Sequence, residues 1–543
     1  MLLLLAAFLA AGATAPVAPR ALWDEWPARR VGEVPAGCLR PADVVTRLQA
    51  LAAKHPGRAR LSEIGRSVEG RLIHLLSVGT GARPVLLWSQ MHGDEPSATP
   101  ALLDLAEYLL TAPEGGAVLD ELTLLMVPML NPDGAERGVR RNAQGIDVNR
   151  DALNLATPEG RILKAVRDRY EPILGFNLHD QDRRTTIGDT GKLATIALLA
   201  VAGDAAGTIT EGRMRAKRAC AAVVSALEPL IGPSIARYDE DWSPRAFGDN
   251  LTAWGTPVVL IETGGLPPGQ PLTDLTRLDF VALVSVLSSL AADDLAGYDP
   301  ELYARLTRNS TDAYADVVLR GGRILQGSSP EPYRADVAFD VKAPDVRTWA
   351  CPGAPDSGPS RIVEIGDARF ITGARDVDAA GALIVPALTA SVRGIAARRW
   401  LTARALEEMA RLGVGRVRWH VARSDMADTL SLAAERSAAG RPTVEVVAMT
   451  DAPSPLLVSR APRRPKSRAL YDVVEALGGP TALEMSLVRP SASPSTKPVE
   501  LTKDAPASFL VLKPGPPSKP EALVLDAVYI DGRALSPSDI AQK

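Results

Sequence analysis

Histidine is scarce in this 543-residue chain, with five in all, so the imidazoles available for chemistry are quickly found. His92 stands three residues before Glu95 in Ser89-Gln-Met-His-Gly-Asp-Glu-Pro96, and His179 lies in Gly175-Phe-Asn-Leu-His-Asp-Gln181. Each follows a hydrophobic run. Two imidazole nitrogens and one carboxylate make a catalytic zinc set whose fourth tetrahedral position stays open to water. Residues three apart share a face of a turn, so His92 and Glu95 can approach one ion. A His-x-x-Glu pair alone is common in unrelated chains, and a surface His and Glu is the bland alternative.

The elements that must carry these residues are legible as periodicities. Residues 41–55 place Val44, Val45, Leu48, Leu51 and Ala52 at helical spacing. Residues 59–64 and 72–78 read as strands about a turn-like segment at 65–70, and 84–89 as an apolar strand buried on both faces. A helix over 99–110, strands over 122–129 and 173–178, a helix over 213–230, a strand over 257–261 and a helix over 274–290 follow. This alternation predicts an α/β fold: a mixed, mostly parallel sheet covered by helices on both faces, with sites beyond the strand carboxyl ends. Near residues 293–306 the pattern changes, and a smaller mixed α/β domain with β-sandwich elements is expected from residue 315 on.

Bulk properties narrow the function. A net charge of −3 and an aromatic fraction of 4% argue against nucleic-acid binding. Residues 1–15, an apolar core followed by small residues, read as a signal peptide, too short to span a bilayer at ~20 helical residues. No later run reaches spanning length, so an exported protein is expected, periplasmic or extracellular, without stable membrane insertion. The excess of arginine over lysine and the abundant alanine suggest a GC-rich bacterial source. Cys38, Cys220 and Cys351 have no Cys-x-x-Cys spacing, which argues against a structural zinc site; one disulfide among them stays open.

Three further segments join the two histidine motifs: Asn131-Pro-Asp-Gly134, then Arg140-Arg-Asn-Ala-Gln-Gly-Ile-Asp-Val-Asn-Arg150, then Ile261-Glu-Thr-Gly-Gly265. Together, and in this order, the five segments resemble the zinc metallocarboxypeptidases of the carboxypeptidase A type, over roughly residues 41–292. The resemblance implies that His92, Glu95 and His179 hold one Zn2+ and that Asp147 orients His92. It implies that Glu262 is the general base taking a proton from water at the metal. Arg140, rather than its neighbour Arg141, matches the arginine that stabilises the developing oxyanion. Asn149 and Arg150 match the pair gripping the substrate's terminal carboxylate, which an arginine fork can do bidentately.

Departures from the family fall in the specificity loop. No tyrosine stands at the usual distance before Glu262, and Tyr238 is the available substitute. Arg245, Phe247 and Asp249 are candidates for lining the side-chain pocket, and their mixed character leaves apolar, basic and acidic side chains open. Asp151 stands where an asparagine often follows the Asn-Arg pair.

In the second half, segments at 316–325, 361–367 and 376–386 resemble the β-sandwich of the amidohydrolase superfamily, with returning strands at 506–512 and 526–533. The metal motif is absent: Ala387-Leu-Thr-Ala-Ser391 stands where His-x-His is expected, and His420 is the one histidine of this half. A helix–strand–helix–strand passage is expected over 403–449. The domain reading is a signal peptide at 1–15, an N-terminal extension at 16–40, a catalytic domain at 41–295, a linker at 296–314 and a noncatalytic accessory domain at 315–543. The expected function is zinc-dependent hydrolysis of a C-terminal peptide bond. The substrate is a peptide or amide with a free carboxylate. A zinc amidase acting on cell-wall peptide or another amide and a noncatalytic peptide-binding protein are the alternatives.

Overall fold

The computed structural model describes residues 17–33, 39–238, 242–267, 269–324, 333–340 and 361–392, with separate strands beyond them as far as residue 535. The expected leader, Cys38 and Cys351 lie outside these residues. The chain forms two compact units that change over between Ala313 and Tyr314.

In the first unit the apolar runs become an eight-stranded sheet. Its strands are β1 (Ala59–Arg66), β2 (Leu72–Val78), β3 (Arg83–Trp88), β4 (Leu122–Val127), β5 (Leu174–Asp180), β7 (Ile196–Ala200), β8 (Ile235–Arg237) and β9 (Val258–Thr263), the short β6 (Thr186–Ile187) lying outside it. The order is β1-β2-β4-β3-β5-β9-β7-β8. The central strands β4, β3, β5 and β9 are mutually parallel, while β1 pairs antiparallel with β2, β2 with β4, and β7 with β9.

Side chains alternate across a strand, and here both faces are covered. Val85 and Leu87 enter one core, shared with helices α3 (Ala98–Thr111), α7 (Glu211–Ile231) and α9 (Thr273–Ala291), whereas Leu86 and Trp88 enter the other, shared with α6 (Pro158–Tyr170) and α8 (Phe247–Ala253). Continuous apolar sequence at 84–89 is the consequence of this double burial. This unit also contains the helices α1 (Pro19–Arg29), α2 (Pro41–Lys54), α4 (Gly115–Glu121) and α5 (Pro132–Arg137).

The N-terminal extension is part of this unit. Leu22 and Trp26 of α1 join the first core. Trp26 Nε1 donates to Asp104 Oδ2 at 3.0 Å and Val31 N–H to Asp104 Oδ1 at 2.7 Å. The Arg277 guanidinium lies 3.9 Å from the centre of the Trp23 ring. Burial pushes the Asp104 carboxyl up to about 7, against the lowering effect of those hydrogen bonds. Asp104→Ala leaves two donors without their acceptor, at about 1–3 kcal/mol for each that stays buried, and should lower the urea midpoint accordingly. Because the folded pKa exceeds the ordinary ~3.9, ionisation on going from about pH 4 to 7 weakens the fold. That slope should be absent in the variant.

The stretch expected as a linker, 296–314, is instead largely packed. Asp294–Gly297 and α10 (Glu301–Ala304) are helical turns, and Tyr303 is fully buried with its hydroxyl accepting from Ala200 N–H at 3.1 Å. The strand β10 (Asn309–Ser310) pairs with β6. Burial of Leu295 and Tyr303 draws the segment onto the first unit, a tertiary gain that its local composition does not announce.

The second unit is built of strands. Tyr314–Ile324 pairs antiparallel with Tyr333–Phe339 and parallel with Thr372–Asp378, around a core containing Val317, Leu319, Val337, Phe339 and Ile384. Phe509–Pro514 and Leu523–Ile530 form the expected closing antiparallel pair. Within the expected helix–strand–helix–strand passage over 403–449, Arg416–Ala422, Leu430–Ala434 and Thr443–Met449 are strands, the second antiparallel and the third parallel to the first, and residues 423–429 and 435–442 lie outside the described residues. Leu430-Ser-Leu432 alternates with period two as well as it fits a helix turn, and pairing with a neighbour decides between them. Residues 402–415, the first of the expected helices, lie outside the described residues.

Candidate metal centre and active site

His92, Glu95 and His179 converge. Their nearest nitrogen and oxygen atoms all lie within 4.8 Å of one another, and all three residues are buried. Glu95 bridges the pair: Oε1 lies 2.8 Å from His92 Nδ1 and Oε2 lies 2.6 Å from His179 Nδ1. The second nitrogen of His92, Nε2, lies 3.1 Å from Asp147 Oδ1. A carboxylate there requires the proton on Nε2, which leaves the Nδ1 lone pair aimed into the centre, the arrangement a metal-binding histidine needs.

Each ligand is placed by a different element. β5 carries His179 near its end, one residue inside the strand rather than just past it. The loop after β3 carries His92 and Glu95, and it is braced by the Asn131-Pro-Asp-Gly134 motif. Asn131 Oδ1 accepts from Gly134 N–H at 2.9 Å, and its amide donates to the carbonyl of Met91 at 3.3 Å. The backbones are so close that a Cβ on Gly93 would meet the Gly134 carbonyl carbon at 2.0 Å. Gly93 thus answers to close approach rather than to a turn angle.

The electrostatics fit a cation site. Burial opposes the Glu95 carboxylate, but His92 and His179 outweigh it and hold the carboxyl well below its ordinary range. Burial also opposes the His92 cation, yet Glu95 and Asp147 raise its pKa to about 9. For His179 burial prevails, and the shift is downward. Asp147 is held low by His92 and Arg140 despite its burial. Two imidazole nitrogens with outer support and one carboxylate match the donor chemistry of a catalytic zinc.

The centre opens into a cavity of about 350 Å³. Arg140 lies at its edge, with Nε 3.0 Å from Asp147 Oδ2 and Nη1 3.2 Å from Glu95 Oε1. Arg141 is exposed and donates to the carbonyl of Gly145. Glu262 on β9 stands opposite His179 in the β5–β9 register and lines the same cavity. The two glycines after it permit a close passage, since a Cβ on Gly264 would meet Gln181 Cγ at 2.5 Å and one on Gly265 the Arg183 carbonyl oxygen at 2.5 Å. Asn149 and Arg150 line the cavity, and Asn149 Oδ1 accepts from Phe247 N–H at 2.9 Å. Tyr238 lines it too. The negative charge of Glu262, with burial, pushes the Tyr238 phenol above its ordinary range, so it stays a donor.

Of the three candidates in the specificity loop, Asp249 alone lines the cavity. Phe247 is fully buried in the core beneath α8, edge-on to Trp254 with ring centres 6.4 Å apart. Arg245 is exposed, and its carbonyl accepts from Ala152 N–H. Neither lines the cavity: Phe247 opens helix α8 with its ring in the core, and Arg245 lies in the exposed turn before that helix. Asp151 is also structural, accepting from Ala156 N–H and from the Thr157 N–H and hydroxyl. Asn177, absent from the candidates, does line the cavity. Its signal was available, because a residue two before His179 on a strand shares its face.

An α/β sheet with a His-Glu-His cluster at its strand ends, a carboxylate beside it and arginines on the rim is an arrangement able to hold a metal ion in an open cavity. Residues 44–169 match the sequence profile of the zinc carboxypeptidase family. Carboxypeptidase D of Drosophila melanogaster is 32% identical over 124 residues, 19% of this chain and 9% of that protein. A probable carboxypeptidase 2 of Arthroderma benhamiae is 30% identical over 131 residues, 24% of this chain and 23% of that protein. The chain thus spans less than a quarter of either relative. A metallo-carboxypeptidase structure from Burkholderia cenocepacia aligns with a TM-score of 0.38 and 19% identity, over 46% of this chain and 69% of that one. Over residues 44–169 the chain is similar to the zinc carboxypeptidases. The matched segment contains His92, Glu95, Arg140, Asp147, Asn149 and Arg150 but ends before His179 and Glu262, whose place in the site comes from the sheet.

Proposed function

We propose that the protein is an exported metallocarboxypeptidase holding one zinc ion on His92, Glu95 and His179 and hydrolysing the last peptide bond of a substrate with a free carboxylate. The observation that carries this reading is Glu262, beside His179 in the β5–β9 register and lining one cavity with His92, Glu95, Arg140 and Arg150. Bound zinc supplies Lewis acidity, acidifying water and polarising a carbonyl. Arg150, assisted by Asn149, grips the terminal carboxylate and so fixes which bond is presented. Glu262 removes the proton from the attacking water and returns it to the leaving amine. Arg140 offers a fixed positive charge to the oxygen that becomes negative during attack. Tyr238 donates a hydrogen bond over the substrate backbone. Asp147 holds His92 in one tautomer. The second unit serves as a noncatalytic accessory module.

The test compares peptides of one sequence with free and amidated C-termini, followed by mass spectrometry with the zinc-loaded full chain. The free form should be cleaved at least about a hundredfold faster, because loss of a charge-assisted bidentate contact leaves Arg150 unpaired. Arg150→Ala should raise KM for the free peptide and narrow the difference. Equal cleavage of both peptides would overturn the carboxylate grip.

A further inference from the structure

Behind the cavity lies a second set of polar groups that the proposed chemistry leaves unused. Side chains alternate along a strand, so Asp180 and Thr263, which follow His179 and Glu262, belong to the opposite face of the sheet, the one that Leu178 and Ile261 share with α3 and α9. The two are partners in the β5–β9 register. With them are Ser97, from the loop that carries His92 and Glu95, and Thr276 and Asp279 of α9, all of them buried. Polar groups buried in this number cost stability unless each is bonded.

The bonds among them run toward both functional glutamates. Asp180 N–H donates to Glu95 Oε2 at 3.3 Å, and the Asp180 carboxyl accepts from Ser97 N–H at 3.0 Å and from the Ser97 hydroxyl. Ser97 comes two residues after Glu95 and directly before α3. One turn of α9 receives it: Thr276 Oγ1 donates to the Ser97 carbonyl at 2.9 Å, and the Asp279 carboxyl lies against the Ser97 hydroxyl. Asp279 Oδ1 also accepts from the Thr263 hydroxyl at 2.9 Å. Thr263 is the residue after Glu262, and Gly264 and Gly265 come next, so it is the last side chain able to fix that strand end.

One oxygen of Asp279 is left over. Its Oδ2 is buried without a hydrogen-bond partner, and the Ser97 hydroxyl has its own proton committed to Asp180. A proton on Oδ2 answers both facts, since it removes a buried charge and supplies a donor that Ser97 Oγ can accept. Burial pushes the Asp279 acid up to about 7, against the lowering effect of Thr263 and Ser97.

Resting on the carboxypeptidase reading above, we propose that Asp279 is a positioning residue shared by Glu95 and Glu262. It accepts from Thr263 and donates to Ser97, and through them it holds the metal ligand and the base at a fixed separation. Asp279 does not line the cavity and acts only through these neighbours.

The experiment uses the full zinc-loaded chain with two readouts: the rate at which a chromogenic chelator takes the metal, and kcat and KM on a free-carboxylate peptide at saturating zinc. Asp279→Leu should release zinc at least about tenfold faster and lower kcat at least about tenfold with KM moved less than about twofold, because a misplacement of ~1 Å costs up to about 10²-fold. Asp279→Asn offers the same acceptor and a donor, and should stay within about threefold of the wild type in both. Removing both partners of a buried bond is close to neutral for stability. Thr263→Val combined with Asp279→Leu should therefore keep the urea midpoint of the metal-free protein and still show both losses, which separates positioning from support of the fold. Zinc release and kcat unmoved in Asp279→Leu, Asp279→Asn as impaired as Asp279→Leu, or losses that appear only with a fallen midpoint overturn the proposal. Faster release that Asp279→Asn restores, with no peptide cleaved by the wild type, would sustain the hold on Glu95 and sink the carboxypeptidase reading. Peptide cleavage with release and kcat unmoved in Asp279→Leu would do the reverse.

Discussion

Glu262→Gln should lower kcat by about 10²–10⁴-fold, the usual worth of a positioned general base, while the zinc content of the purified protein stays that of the wild type. Glutamine fills the same space and keeps a carbonyl oxygen, but it cannot accept the proton of the attacking water. The site makes the two outcomes separable. Glu262 sits beside His179 through the β5–β9 register, yet it is not one of the three clustered donors. Metal analysis together with kcat on a free-carboxylate peptide therefore checks the assignment. Loss of zinc in this variant would show that Glu262 belongs to the metal set instead.

His179→Ala should have the opposite signature, with zinc and turnover lost together. The wild type treated with a chelator should lose activity and recover it on readdition of zinc, whereas the variant should recover none. A thermodynamic readout independent of activity accompanies this. Zinc that binds the folded chain stabilises it by about 2.7 kcal/mol at a free concentration one hundredfold above Kd, seen as a rise in unfolding temperature. The rise should vanish in His179→Ala, because removing one of three protein donors leaves His92 and Glu95 without a third arm. A rise of equal size in the variant would place zinc elsewhere.

The order of elements in the first unit was legible because its signals are strong. Buried central strands need apolar residues on both faces, and helices need a repeating stripe, so β3, β4, α3, α7 and α9 each left a distinctive run. The misreadings lie where local sequence is silent about partners. Residues 296–314 look like a linker until Tyr303 is seen buried and hydrogen-bonded to β7. Phe247 and Arg245 are pocket candidates by position, but Phe247 packs into the core at the start of α8 and Arg245 lies exposed before that helix begins.

Residue types and their spacing already set out the chemistry available: two histidines and a glutamate for a metal, one glutamate after an apolar strand, and arginines in a motif ordered along the chain. They could do so because donor atoms and charge are properties of residue types, and because spacing along a strand or turn fixes which residues share a face. How these groups meet follows from the packing of the sheet. Strand order put β5 between β3 and β9, bringing His179 to the His92 loop on one side and to Glu262 on the other. The same packing gathered Asn177, Asp249 and the walls of β7 and β9 into one pocket. Such meetings depend on distances across the sheet between residues far apart in the chain, which no local pattern records.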